Sequence, residues 1–258
     1  NMVEILVLDE ADQMLDLGFM VTLKRIVTLL PKKRQSLFFS ATMPKSISEL
    51  AGQYLVDPIK VEVAPAATTA EKIEQTCYFP RGEDKSRLLA KILREEDPLR
   101  VLIFTRTKHG ADRLVTFLER DGFPSAAIHG NKSQPQREKA LNAFKKGQIT
   151  CLVATDIAAR GIDVSGVSHV INYELPNVPE QYVHRIGRTA RAEAEGMAIS
   201  LVGPDERQWL RDIERLTKIK LTALKLPMGY DAPNPAELPP PQMGGGGKRG
   251  DMDDEIPF

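Results

Sequence analysis

An α/β fold, with a parallel sheet covered by helices on both faces, is the architecture this sequence predicts. Two observations carry it. Short runs that are apolar at every position, such as VLIF at 101–104 and CLVA at 151–154, recur through the chain. Between them lie segments whose apolar residues repeat at helical spacing. Strands apolar on both faces and joined by helices belong to a parallel sheet buried on both sides.

In chain order, strands are expected at Val3–Leu8, Gln35–Ser40, Ile59–Val63, Ile73–Phe79, Val101–Phe104, Pro124–Ile128, Thr150–Ala154, His169–Asn172 and Met197–Val202. Leu88, Leu89, Ile92 and Leu93 share one face of a helix, and so do Ala111, Leu114, Val115 and Leu118. Ser133 and Gln136 form a capping box with Pro135 in the first turn, opening a helix that carries Ala140, Leu141 and Phe144. A further helix is expected at Pro44–Gln53.

The small, patternless stretch 64–72 reads as a linker. Residues 1–63 before it hold three expected strands, too few for an independent domain, while 73–220 after it hold six with their helices, a complete α/β domain. From 221 to 258 a tail rich in Pro and Gly follows, with PPP at 239–241 and GGGG at 244–247, and disorder is expected there. The sequence opens on Asn1 and runs at once into VEILVL, so it is expected to start inside a domain.

Composition excludes several classes. No apolar run approaches the roughly 18 residues of a membrane span. Cys77 and Cys151 stand far apart and outside any CxxC pattern, so neither a metal site nor a disulfide framework is expected, and a reducing cytoplasm fits. Formal net charge is zero, but from His129 to Arg191 nine Lys/Arg face five Asp/Glu, a local positive excess.

Chemistry gathers at the ends of strands. Asp9-Glu10-Ala11-Asp12 directly follows a strand, and ligands of open α/β sheets bind beyond the carboxyl ends. A carboxylate there can hold Mg²⁺ through water, and an adjacent Glu can position an attacking water. The same acids would equally cap the next helix. Ser40-Ala41-Thr42 closes the next strand, where hydroxyls can bond carboxylates or cap a helix.

Further along, 184–191 crowds His184, Arg185, Arg188 and Arg191 together, as stabilisation of a transferring phosphoryl group would require. In 154–163, Thr155 could bond a nucleic-acid phosphate, Gly161 permits close backbone approach, and Asp163 could accept from a ribose hydroxyl. His129-Gly130 ends another strand, and the helix start bearing Gln134 and Arg137 suits a phosphate. His129 alone would equally be a structural histidine.

Together LDEAD at 8–12, SAT at 40–42, LIFTRT at 102–107, QPQR at 134–137, ATDIAARGID at 154–163 and HRIGRTAR at 184–191 resemble the DEAD-box helicase family, in family order, over roughly residues 1 to 220. LDLGF at 15–19 and LPKKRQSLFFSATMP at 30–44 resemble its bacterial RhlE-type subgroup. The resemblance implies RecA-like units, ATP and Mg²⁺ as cofactors, and RNA-stimulated ATP hydrolysis coupled to sequence-independent duplex opening. It assigns Mg²⁺ to Asp9, through water, and the attacking water to Glu10. Arg188 and Arg191, supported by His184, would meet the γ-phosphate, with Asp163 and Gly161 at the nucleotide. Asp12, Ser40, Thr42 and Arg185 would couple hydrolysis to closure of the two units. Gly130, Gln134, Arg137, Thr155 and Arg106 would grip the RNA sugar-phosphate backbone.

Two departures stand out. Ala190 occupies the position of a glycine in the family's HRIGRTGR, and no glycine-rich lysine loop for phosphate is found in these 258 residues. The expectation is a fragment that is inactive alone. Separately, Asp251 to Phe258 resembles the acidic tip of bacterial single-stranded DNA-binding proteins, which implies a docking peptide for a protein partner. A non-enzymatic RNA clamp, or an adaptor acting through this tip, is the alternative function.

Overall fold

A computed structural model describes residues 2–16, 19–40, 43, 45–62, 73–80, 85–159, 164, 166–190, 196–227 and 230. Among them the strands form two parallel sheets. In the first unit β1 (Ile5–Leu8) pairs with β2 (Gln35–Phe38), Ile5 opposite Gln35 and Leu8 opposite Phe38. Helices α1 (Ala11–Asp16), α2 (Met20–Thr28) and α3 (Lys45–Tyr54) accompany the pair. Leu8, Leu23, Ile47, Leu50 and Tyr54 make a small core, while Ile5 and Val7 on β1 are 55% and 53% exposed.

The second unit is larger. Its elements are β3 (Ile73–Tyr78), α4 (Lys85–Glu96), β4 (Val101–Phe104), α5 (Lys108–Arg120), β5 (Ser125–Ile128), α6 (Gln134–Lys145), β6 (Cys151–Ala154), α7 (Asp156–Ala159), β7 (His169–Asn172), α8 (Pro179–Ile186), β8 (Gly196–Leu201), α9 (Arg207–Thr217) and β9 (Thr222–Ala223). The strands form a seven-stranded sheet in the order β5-β6-β4-β7-β8-β3-β9, every pair parallel. The chain runs outward from β4 to β5 and β6, then crosses β4 to reach β7 and β8. That crossing makes the carboxyl end of β4 the place where loops diverge and a ligand crevice forms.

Strand β4 shows why an uninterrupted apolar run is needed. Val101 and Ile103 join a core with Leu88, Ile92 and Leu93 from α4 and Leu114 from α5. Leu102 and Phe104 point the other way, into a core with Ala140, Phe144 and Ala158 from α6 and α7. A third cluster sets Tyr182, Ile186, Leu210 and Ile213 of α8 and α9 against β3 and β8. At the start of α6, the Ser133 backbone N–H donates to Gln136 Oε1 at 2.9 Å, as the capping box predicts.

Two expectations on secondary structure are corrected. No strand forms over residues 59–62: Ile59 and Val61 are 92% and 82% exposed, and no neighbouring strand among the described residues takes their backbone hydrogen bonds. An alternating apolar pattern needs such an edge to become a strand. Conversely, packing of the second unit continues past residue 220. Thr222 and Ala223 add β9 to β3, Leu224 N–H donates to Cys77 O at 2.9 Å, and Leu226 and Tyr230 pack on the core. A two-residue strand leaves too little periodicity to be read.

Candidate functional site

The acidic segment is held by the turn from β1 into α1. Phe39 N–H donates to Leu8 O at 2.7 Å and Ala11 N–H to Phe39 O at 3.0 Å, pinning the turn to the end of β2. Inside this frame Glu10 adopts a left-handed φ of 51°. Such a conformation costs a non-glycine residue about 1–2 kcal/mol, and surrounding hydrogen bonds must impose it. Glu10 N–H also donates to Asp9 Oδ1 at 2.8 Å. Asp12 is buried, and its N–H donates to Ser40 Oγ at 3.2 Å, which joins the two strand-end segments.

Across from it stands α8 of the second unit. His184 Nε2 lies 3.7 Å from Asp12 Oδ2, so the histidine-arginine segment meets the acidic segment directly. Arg188 lines a small cavity with Phe104, Asp156, Gln181 and His184. Arg185 behaves differently from its neighbours. It is 1% exposed, its Nε and Nη2 donate to the two oxygens of Asp156 at 2.6 and 2.7 Å, and Nη1 donates to Asn172 Oδ1 and Glu174 O at 3.1 and 2.7 Å. Its guanidinium also lies over the Phe104 ring, 4.9 Å from the centroid. Expected to couple the units, Arg185 makes these bonds within the second unit, where they fix α7 and the ends of β4 and β7 relative to α8.

Ala190 has a left-handed φ of 53°, which accounts for glycine at this position in the family pattern. Beside it, a Cβ on Gly196 would meet Thr189 Oγ1 at 2.5 Å and Ala190 N at 2.7 Å.

The expected RNA residues divide into two groups. Gly130 follows β5 and Thr155 follows β6, and these strands are paired, with Ile128 opposite Ala154 and Thr155 N–H donating to Ile128 O at 3.3 Å. Arg137 reaches the same edge from α6, its Nη2 3.5 Å from Ala158 O and its Nη1 3.5 Å from Gln134 Oε1. A Cβ at Gly130 would find no heavy atom within 4 Å, so the backbone there stands open to a ligand. Arg106 lies apart, on the β7 side of β4. Its N–H donates to Glu174 Oε2 at 2.8 Å, its Nη2 reaches Glu174 Oε1 at 3.3 Å, and its guanidinium lies over Trp209 at 4.8 Å.

Thr42, Gly161, Asp163 and Arg191 lie outside the described residues, as do the expected linker from 64 to 72 and the tip Asp251–Phe258. Sequence reasoning missed Asp156, Glu174, Trp209 and Asp112. Asp156 sits inside a quoted motif, where a carboxylate after an apolar strand could have been paired with a buried arginine. The other three carry no local signal. No cluster of three metal-ligating side chains occurs among the described residues, and no described helix is long and apolar enough to cross a membrane.

Comparison with known proteins bears on the whole arrangement. Residues 84–193 match the family model for the helicase conserved C-terminal domain, and residues 1–50 match the DEAD/DEAH box helicase model. The chain is 46% identical over 222 residues to the RNA helicase CrhR of Synechocystis, covering 86% of this chain and 45% of that protein. Among solved structures, the E. coli DEAD-box protein SrmB, bound to regulator of ribonuclease activity A, is 35% identical with a TM-score of 0.58; the match covers 63% of this chain and 98% of that one. S. cerevisiae Dbp5 bound to RNA and ADP BeF3 is 31% identical with a TM-score of 0.78, covering 86% of this chain and 59% of the other. The chain spans about half the length of the curated relatives it matches, 46% for CshA of Limosilactobacillus reuteri. The parallel sheets, the paired acidic and arginine segments and these matches agree: this chain belongs to the DEAD-box helicase family.

Proposed function

We propose that the chain supplies the carboxylate and arginine sides of an ATP-hydrolysing site, and the second-unit half of an RNA grip, in an ATP-dependent RNA helicase. The observation that carries this is the approach of His184 to Asp12, which faces one unit's carboxylates with the other unit's arginines. The donors fit the cofactors. Asp9 is an exposed carboxylate at a strand end, a hard oxygen ligand of the kind Mg²⁺ takes while keeping several waters. When bound, Mg²⁺ would neutralise charge on the ATP phosphates.

The protein's own residues then have separable tasks. Glu10, held by its constrained turn, orients the attacking water and accepts its proton. Arg188 and Arg191 stabilise charge on the γ-phosphate oxygens, and Asp163 and Gly161 hold the nucleotide. Asp12, Ser40 and Thr42 with His184 make hydrolysis sensitive to closure of the units, while Arg185 positions the arginine helix. Gly130, Gln134, Arg137 and Thr155 bind sugar and phosphate, which carries no base readout. Arg106, already engaged by Glu174 and Trp209, serves the RNA less directly. A cytoplasmic site of action and the RhlE-type subgroup belong to the same reading.

The 258 residues hold no GxxxxGK[ST] loop. Without its N–H groups and lysine on the phosphates, the chain by itself is expected to turn over no ATP. The test is a chimera joining the N-terminal half of a full-length relative to this chain, assayed for ATP turnover with and without RNA. RNA-stimulated turnover is expected, falling by about 10²-fold or more for Glu10→Gln. Turnover unaffected by Glu10→Gln would remove the role of Glu10, and none in the chimera would overturn the assignment in favour of a non-enzymatic RNA clamp. The segment Asp251–Phe258 is proposed to dock a protein partner, Phe258 filling an apolar pocket and its acids meeting a basic rim. Deleting Phe258 should abolish that binding, and unchanged binding removes the idea.

A further inference from the structure

The loop that follows β5 carries Gly130, and three contacts tie it to the first turns of α5. Asp112 Oδ1 lies 3.0 Å from His129 Nε2 and 2.9 Å from Lys132 Nζ, and Lys108 Nζ donates to Asn131 Oδ1 at 3.0 Å. Lys108 and Asp112 stand one helical turn apart and so share a face. That turn is itself fixed, because Thr107 caps α5 by accepting from Gly110 N–H at 3.0 Å. Each of residues 129, 131 and 132 is therefore held by a side chain, while Gly130 between them is left open.

His129 is 1% exposed, and its Nδ1 is buried without a hydrogen-bond partner. An ionised Asp112 can only accept, so the ring proton belongs on Nε2. A bare Nδ1 leaves a lone pair unmatched, which costs less than a buried orphan N–H. Burial raises the Asp112 carboxyl, but the hydrogen bonds from His129 and Lys132 and the charge of Lys132 outweigh it and hold it below the usual carboxylate range.

We infer that Asp112 and His129 are positioning residues for RNA binding: through them α5 presents the open backbone of Gly130 to a sugar-phosphate chain in a fixed geometry. This rests on the RNA grip proposed above. Asp112 is partly exposed, with 47% of its side chain accessible, so replacing it removes no apolar packing.

The experiment measures binding of a fluorescein-labelled decauridylate to the 258-residue chain, with Asp112→Ala, Asp112→Asn and Gly130→Val beside the unmodified protein. Asp112→Ala should weaken binding about tenfold, as loss of charge-assisted hydrogen bonds implies. Asp112→Asn should restore most of it, because an amide oxygen still accepts from both donors. The His129 Nε2–H signal in a ¹⁵N spectrum should vanish in Asp112→Ala alone, and the orphaned N–H should lower the urea midpoint of Trp209 fluorescence without unfolding the chain in the binding buffer. Full affinity in Asp112→Ala while Gly130→Val binds poorly overturns the latch and leaves the RNA grip standing. Loss of affinity in Asp112→Ala that is matched by loss of folded protein in the binding buffer also overturns it. Failure of the unmodified chain to bind, or indifference to Gly130→Val, removes the RNA grip and this inference with it.

Discussion

Strands β1 and β4 have almost interchangeable sequences, ILVL and VLIF, yet their surroundings differ completely. Every residue of β4 is buried, between β6 and β7 in its sheet and between helices on its two faces. On β1 only Leu8 is buried, and Ile5 and Val7 keep more than half their surface. A run of four apolar residues thus announces a strand but not how much of it these 258 residues bury. Burial depends on what the rest of the fold stacks on each face, and at roughly 25 cal/mol per Å² of apolar surface that stacking is most of the stabilisation.

The sharpest way to break this contrast is a matched pair of truncations. Ile103→Ala should cost about 4 kcal/mol, by transfer and cavity terms together. Val7→Ala should cost less than about 1 kcal/mol. Urea unfolding read by Trp209, the sole tryptophan and a residue of the second unit, reports the first; far-UV circular dichroism reports the second. Equal costs would mean that β1 is covered as thoroughly as β4. Next in size, Arg185→Met should destabilise the second unit by about 3 kcal/mol, since Asp156 and Asn172 lose a buried partner. A change within about 0.5 kcal/mol, roughly that of a surface site, would show the network to be dispensable.

Smaller and opposite in sign, Ala190→Gly should stabilise the second unit by about 1 kcal/mol by relieving a left-handed alanine. A loss instead would mean that the alanine methyl makes contacts worth more than the strain. Smallest of all is a contrast in reactivity with pH. Burial pushes the Cys151 thiol up to about 12 and the Cys77 thiol up to about 11. Both raised values keep the neutral thiol through about pH 8, so iodoacetamide should leave native protein unmodified and label both residues in urea. Labelling of native Cys151 under the same conditions would show that β6 opens.

Much of this is readable in advance, and unevenly. Strands at 101–104 and 151–154 are legible because burial on both faces demands a solid apolar run. The strand-end motifs are legible because their residue types are chemically unusual together. Residues 59–62 mislead because alternation specifies a strand only where a neighbour accepts its hydrogen bonds. Asp112 with His129, and Arg106 with Glu174 and Trp209, are invisible because each partnership joins distant segments whose proximity is a property of sheet order. The strain at Glu10 is hidden too, since a left-handed turn at a glutamate leaves no trace in composition.

Two glycines near the site have opposite prospects. Gly196 is walled in by Thr189 and Ala190, so any side chain there must displace the loop that leads to the arginines. Gly130 has empty space around it. Under the proposed RNA grip, mutation at Gly130 should change how tightly a nucleic-acid chain is held without drawing on the stability of the sheet beneath. The fold tolerates a side chain at Gly130 and not at Gly196, so any limit on variation at Gly130 must come from what it binds.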